Sequence, residues 1–446
     1  MKNKPYPKYK DSGVEWLGEI PENWEFKRLR FLTKLNPSKK EISLAPENEI
    51  SFVPMESVGE YGGIKLDSTK ALDDIDSGYT YFANDDVIIA KITPCFENVK
   101  GALAKNLKNG VAFGTTELHV LRCLEKYDPR YLFYISISYP FRKIGESEMY
   151  GAGGQKRIPE DYLKDLQAPL SPIGEQKQIA IYLDKKTAQI DELINKKKKL
   201  IEKLDEKRTA LITHAVTKGL DDTIKLKPSG IDWLGDIPEH WVVKRLRFIT
   251  KLNPSKKETN LTSEDAVSFI PMESVGEYGG IKLDATKALD DVDAGYTYFA
   301  NDDVVIAKIT PCFENVKGAL AKELMNGVAF GTTELHVLRC LDKYYPKYLF
   351  YISISYSFRK IGESEMYGAG GQKRIPEDYL KDFRAPLLPI EEQKRIADYL
   401  EKEINQIDNL KSKIQRAIEK LEEYRSSLIT NAVTGKIDVR GVVDVK

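Results

Sequence analysis

Trp16-Leu17-Gly18-Glu19-Ile20-Pro21-Glu22-Asn23-Trp24 returns 217 residues later as Trp233-Leu234-Gly235-Asp236-Ile237-Pro238-Glu239-His240-Trp241. The same offset carries Gly114-Thr115-Thr116-Glu117 onto Gly331-Thr332-Thr333-Glu334. It also carries Gly153-Gly154-Gln155-Lys156-Arg157 onto Gly370-Gly371-Gln372-Lys373-Arg374. No insertion interrupts the offset, so the chain is one unit written twice. Each copy is long enough for a domain with its own core. Two copies in one chain can build a pseudo-two-fold object. Such objects suit partners that are themselves two-fold, of which duplex DNA is the commonest.

Composition narrows the class. Of 446 residues, 41% are hydrophobic and 30% charged, as expected of a soluble globular protein. No apolar run approaches the roughly 18 residues of a membrane span. Met1-Lys2-Asn3-Lys4-Pro5 is followed by no signal-peptide core, so a cytoplasmic protein without a membrane partner is expected. Cys95, Cys123 and their copies Cys312 and Cys340 form no C-x-x-C pair and read as reduced core thiols. His119 and Cys123 read as a buried structural pair, with no metal. Net charge is zero, which argues against gripping DNA alone by bulk electrostatics. A DNA partner then requires local basic loops, or a second subunit that shares the grip.

Each copy divides in two. The first part is an α+β domain, with short β-like runs (Val87-Ile88-Ile89-Ala90, Leu118-His119-Val120-Leu121) between Gly and Pro breaks, and a helix opened by Pro129. The second part is a long helix behind Pro172 or Pro389. The boundaries expected are 1–172 and 219–389 for the domains, 173–218 and 390–435 for the helices, and 436–446 for a tail. Heptads predict a coiled coil. Its seam is read as Ile190, Lys197, Leu204 and Leu211 with Leu193, Leu200 and Lys207. On the second helix it is Ile407, Ile414, Leu421 and Leu428 with Leu410, Ala417 and Tyr424. The copies differ at 11 of 110 positions between Ser51 and Glu160, but at 16 of 31 between Asp184 and His214. Near-identical domains offer the same surface, whereas unlike helices can pair with each other.

Enzyme motifs are missing. The chain has no phosphate loop. Asn36-Pro37-Ser38-Lys39 lacks the second proline and the aromatic of an adenine methyltransferase motif. Gly151-Ala152-Gly153-Gly154 has no strand-turn-helix context for a dinucleotide. Asp85-Asp86 and Asp205-x-Lys207 read as solvated surface. Recognition chemistry remains, on three Gly/Pro-bounded loops. The candidate DNA contacts are Lys91, Thr93, Asn98, Lys100, Thr115, Thr116, Gln155, Lys156 and Arg157. Their copies are Lys308, Thr310, Asn315, Lys317, Thr332, Thr333, Gln372, Lys373 and Arg374.

The Trp16–Trp24 stretch, the Phe113-Gly114-Thr115-Thr116-Glu117 bend, Gln155-Lys156-Arg157-Ile158-Pro159 and Glu175-Gln176-Lys177-Gln178-Ile179-Ala180 occur in that order, twice. Together they resemble the specificity subunit of type I restriction–modification systems. The resemblance implies a non-enzymatic reader: two target-recognition domains on an antiparallel two-helix spacer, each reading half of a bipartite site in double-stranded DNA. It also implies docking of methyltransferase subunits and of restriction motor subunits. S-adenosylmethionine, ATP and Mg²⁺ belong to those partners, so no cofactor is expected here. Typical members carry two different recognition domains, whereas these two are nearly identical; a hyphenated palindrome is therefore the expected target. The competing reading is a coiled-coil scaffold that binds only proteins.

Overall fold

The computed structural model describes residues 4–75, 78–292, 295–369 and 371–441. Gly370 of the second Gly-rich loop, residues 1–3 and the end of the tail, 442–446, lie outside the described residues. The chain forms two compact units. One takes residues up to Lys197 together with those from Gln415 onward; the other is Lys198–Ile414. The long helices, Ile173–Lys218 and Ile390–Val433, are therefore shared. Each begins in the unit of the domain it follows and ends in the other.

Two four-stranded sheets form each domain. In the first unit, one has the order Thr69–Ala71, Glu49–Val53, Val111–Gly114, Thr80–Ala83, with its central pair parallel. The other is antiparallel throughout: Thr33–Leu35, Leu118–Cys123, Asp86–Ala90, Gly101–Leu103. Val53, Phe82 and Ala112 from the first sheet meet Ile88, Ala102 and Val120 from the second in one core. The β-like runs read from the sequence lie in the two central strands of the second sheet. The second unit repeats this order and core at the 217-residue offset. Asn36, at a positive φ of 48°, extends the second sheet; its backbone N–H and side-chain oxygen both pair with Val120, and its amide donates to Glu160. That is the structural work of the Asn36-Pro37 stretch.

The helix opened by Pro129 spans Pro129–Ser136 and is capped by Asp128. Trp24 closes the domain onto the long helix. Its ring is wholly buried, and its indole N–H donates to Glu175 in that helix's first turn at 3.0 Å. Trp241 does the same to Glu392 at 3.1 Å. An acidic side chain also complements the positive end of a helix.

The helices run antiparallel. In the second unit, Asp205 meets Lys411 at 2.5 Å and Arg208 pairs with Asp408, so one number rises as the other falls. The first unit carries the counterpart pair, Arg425 with Asp191. The seam is shifted from the one expected. Ile190, Leu204, Ile407, Ile414 and Leu428 are buried, and Leu211 and Leu421 are half-buried, as a seam requires. Leu193, Leu200 and Leu410 are exposed (43%, 47% and 44%), as are Lys207 and Tyr424. Their places are taken one residue on: Ile194 is buried, Ile201 is half-buried, and Arg208, Lys411 and Arg425 fill the remaining three positions; beside half-buried Ala417, Ile418 is buried. The physical reason is that Arg and Lys bury their stems while their heads find carboxylates on the facing helix.

Asp86 also departs from its expectation. It is 1% exposed, holds Arg122 through two bonds of 2.7–2.8 Å and accepts from the Ala83 N–H. Register explains this: Arg122 stands directly opposite Asp86 on the neighbouring strand. Asp205 is likewise an ion-pair partner.

Candidate nucleic-acid interface

Strand register brings the three loops together. Leu118 pairs with Ala90, so the bend before Leu118 and the loop after Ala90 emerge side by side. The Lys91 N–H donates to the Glu117 carbonyl at 2.9 Å. The third loop is laced to the same edge. Ile92 bridges to Arg157, and the Thr93 N–H donates to the Lys156 carbonyl. The Thr93 hydroxyl donates to the Gly154 carbonyl at 3.1 Å and accepts from the Lys156 N–H at 3.0 Å. Lys308, Thr310, Gly371, Lys373 and Arg374 repeat this lacing. Gly151 must lack a side chain, since a Cβ would lie 2.2 Å from the Gln155 carbonyl oxygen.

Within each cluster the expected residues differ in availability. Asn98, Thr116, Gln155 and Lys156 are exposed, as are Asn315, Thr333, Gln372 and Lys373. Lys91 and Lys308 are half-buried. The hydroxyls of Thr115 and Thr332 accept from the N–H of Glu117 and Glu334, which fixes the bend. Lys100 and Lys317 each donate to a backbone carbonyl, Met55 or Met272, at 3.2 Å, so their ammonium groups are engaged. Arg157 is held side-on by Glu117, with Nη2–Oε1 at 2.7 Å and Nε–Oε2 at 3.0 Å; Arg374 and Glu334 match both distances. The guanidinium, above all through its hydrogen bond, pulls the Glu117 carboxyl below its usual range.

Three supporting residues escaped the sequence reading. Arg142 is 3% exposed and donates to the carbonyls of Ser136, Phe96 and Lys100, tying the Lys91–Lys100 loop to the Tyr139–Glu148 helix. Gly145 lets that helix approach, since a Cβ there would lie 2.5 Å from the Phe96 ring. Tyr150 is 68% exposed at the stem of the Gly-rich loop, paired through its backbone with Arg157. A buried arginine and a loop tyrosine have no periodicity to betray them.

His119 is buried on the Leu118–Cys123 strand, where its Nε2 meets the Ile158 carbonyl at 3.0 Å; Cys123 is half-buried and free. Among the described residues, no group of three or more His, Cys, Asp or Glu side chains is placed to hold a metal ion. Burial lowers the pKa of His119, and of His336, from 6.5, with Lys91 or Lys308 adding to it; the hydrogen bond to the Ile158 or Ile375 carbonyl opposes it first, then Glu160 and Glu117, or Glu377 and Glu334. Below about pH 6.5 the unfolded chain therefore binds protons that the folded chain refuses, and stability is lost as the pH falls. The unfolding midpoint is expected to drop between about pH 7.5 and 5.5, and to drop less in the double variant His119→Gln, His336→Gln. An equal pH slope in both proteins would refute the assignment.

Comparisons with known proteins agree with this architecture. The family described as type I restriction modification DNA specificity domain matches residues 21–203 and 238–420, once in each copy. The chain belongs to this family. It is 39% identical over 194 residues to the type I restriction enzyme EcoAI specificity subunit of Escherichia coli, a match covering 43% of this chain but 32% of that protein. It is 27% identical over 440 residues to the putative type I restriction enzyme MjaX specificity subunit of Methanocaldococcus jannaschii, covering 95% and 96%. Among solved structures, a chain from work on complex assembly and conformational transition of the type I R-M system superposes with a TM-score of 0.70. Its identity is 18%, over 95% of this chain and 99% of that one. The HsdS subunit from Thermoanaerobacter tengcongensis gives 0.52 at 18% identity, over 94% and 98%. Among the described residues, no helix is long and apolar enough to cross a membrane.

Proposed function

We propose that this chain is the DNA-reading subunit of a type I restriction–modification complex and performs no catalysis itself. Each loop cluster reads one half of a bipartite duplex site. The observation that carries this reading is the duplication, residue for residue, of a laced loop cluster in a chain of the DNA specificity family. Methyltransferase subunits, bringing S-adenosylmethionine, dock on the long helices; restriction motor subunits bring ATP and Mg²⁺. Docking is supported by apolar side chains that the helices leave exposed, Leu193 and Leu200 on the first and Leu410 and Tyr424 on the second. Net neutrality fits a shared grip on DNA, because affinity then draws on the charge of several subunits.

Identical loops read identical bases, so the half-sites are inverted repeats around a fixed gap, with a methylated adenine on each strand. Methylome sequencing of cells that express the chain with its methyltransferase partner is expected to return a hyphenated palindrome. Two unrelated half-sites would overturn the equivalence of the clusters. A methyltransferase complex with no sequence preference would leave the protein-only scaffold as the better reading.

A further inference from the structure

The ion pair in each loop cluster differs from the structural Asp86–Arg122 bridge in one respect: both are held side-on, but Nη1 of Arg122 is taken by Glu41. A guanidinium carries five N–H donors in a flat fork. Glu117 takes Nε–H and one hydrogen of Nη2, which is the side edge of the fork. Among the described residues, no partner meets Nη1 of Arg157, so the end edge, Nη1 with the second hydrogen of Nη2, stays open. The Arg157 side chain is 46% exposed and that of Glu117 23%. The Arg157 backbone is bridged to Ile92 and to Tyr150. The side chain is thus aimed before any partner arrives, and little rotamer freedom is left to lose on binding.

We propose that Glu117 and Arg157, with their copies Glu334 and Arg374, form a guanine-reading unit. This deepens, and rests on, the DNA-reading function above. The open edge of the arginine fork matches the O6 and N7 acceptors of guanine in the major groove. Arg157 makes the base contact, and Glu117 is the positioning residue that presents it. The charge balance points to a base rather than a phosphate. A guanidinium already neutralised by a carboxylate adds little to counterion release, yet keeps its directional donors. The pair therefore supplies discrimination, while exposed Lys156 supplies salt-dependent grip. Because Glu334 and Arg374 repeat the geometry, with Nη2–Oε1 again 2.7 Å, each half-site holds a guanine at the matching position.

The test uses the full chain assembled with its methyltransferase subunits, selection from a randomised duplex library, and competition binding at several salt concentrations. Arg157→Met should lower the preference for guanine at one position of one half-site by about 5- to 150-fold. The other half-site and the slope of affinity against salt should not change. Arg374→Met should move the loss to the other half-site, which makes each copy the folding control for the other. Glu117→Gln should lower the same preference at the same position, by less than Arg157→Met does. Lys156→Ala should flatten the salt slope and leave the guanine preference intact. Uniform weakening by Arg157→Met with all base preferences kept would overturn the proposal and leave the DNA-reading function standing. So would a change at a base other than guanine, or full preference in Glu117→Gln. A wild-type complex that selects no sequence would overturn both.

Discussion

Ile194→Asp is expected to cost more than about 3 kcal/mol of folding stability, whereas Leu193→Asp, one residue away, should change it by less than about 0.5 kcal/mol. Both residues are large and apolar and share one helix. Ile194 is 5% exposed and Leu193 is 43% exposed. A carboxylate at 194 loses its water, and Arg425, which reaches this stretch, is already taken by Asp191. The methyl groups lost from the seam add a cavity term. At 193 the carboxylate stays in water. Denaturant midpoints of the full chain measure the difference. Equal losses would mean that both positions line the seam; a larger loss at 193 would restore the phase first read from the heptads. Disruption at 194 should also weaken capture of the methyltransferase subunits, since their proposed platform is the paired helices.

The repeat was legible because a constant offset needs no structural inference. Helix length was legible because apolar spacing persists over several heptads behind a proline. The phase was not, because Leu193-Ile194 and Leu200-Ile201 are adjacent apolar pairs that fit two phases equally well. The correct phase also passes through Arg208, Lys411 and Arg425, which look wrong for a seam until their acids are known. Those acids lie on the other helix, some 200 residues away (408 − 208 for the Arg208 pair). In unit one Arg425 also lies 4.0 Å over the Tyr61 ring, and in unit two Arg208 lies 4.9 Å over Tyr278, contacts no local pattern announces.

The candidate interface was legible in part for a similar reason. Gly and Pro mark the loops, and the donors on them are visible. Strand register decides which loops meet, and register is fixed by which face of each strand is buried. Arg157 therefore reads as a free cation, and it takes both the pairing of Ala90 with Leu118 and the bridge of Ile92 to Arg157 to set Glu117 beside it. Lys100 likewise reads as available in the sequence, but its ammonium donates to the Met55 carbonyl. A loop side chain can be named from sequence, but its commitments are set by residues that arrive from elsewhere in the chain.

Trp24→Ala is the second large loss expected, about 3–5 kcal/mol, with Trp241→Ala costing a similar amount in the other unit. Trp24 is wholly buried, so truncation removes one of the largest apolar contributions in the first unit. Its N–H is also one of the donors that hold Glu175, which is itself 6% exposed and receives the Tyr6 hydroxyl and, at 3.4 Å, the Asn23 amide. Losing the indole leaves a buried carboxylate with fewer donors, a penalty separate from the cavity. Trp24→Phe isolates that penalty, since the ring volume is largely kept; a loss of about 1–3 kcal/mol is expected from the missing N–H. Combining Trp24→Phe with Glu175→Gln removes the buried charge and should recover part of the loss. The second unit offers a parallel measurement. Glu392 is held by Trp241 and by His240 at 2.7 Å, with His240 where the first copy has Asn23. If Trp24→Ala and Trp241→Ala each cost less than about 1 kcal/mol, the tryptophan at the end of the repeated stretch is not what fastens each domain to its helix.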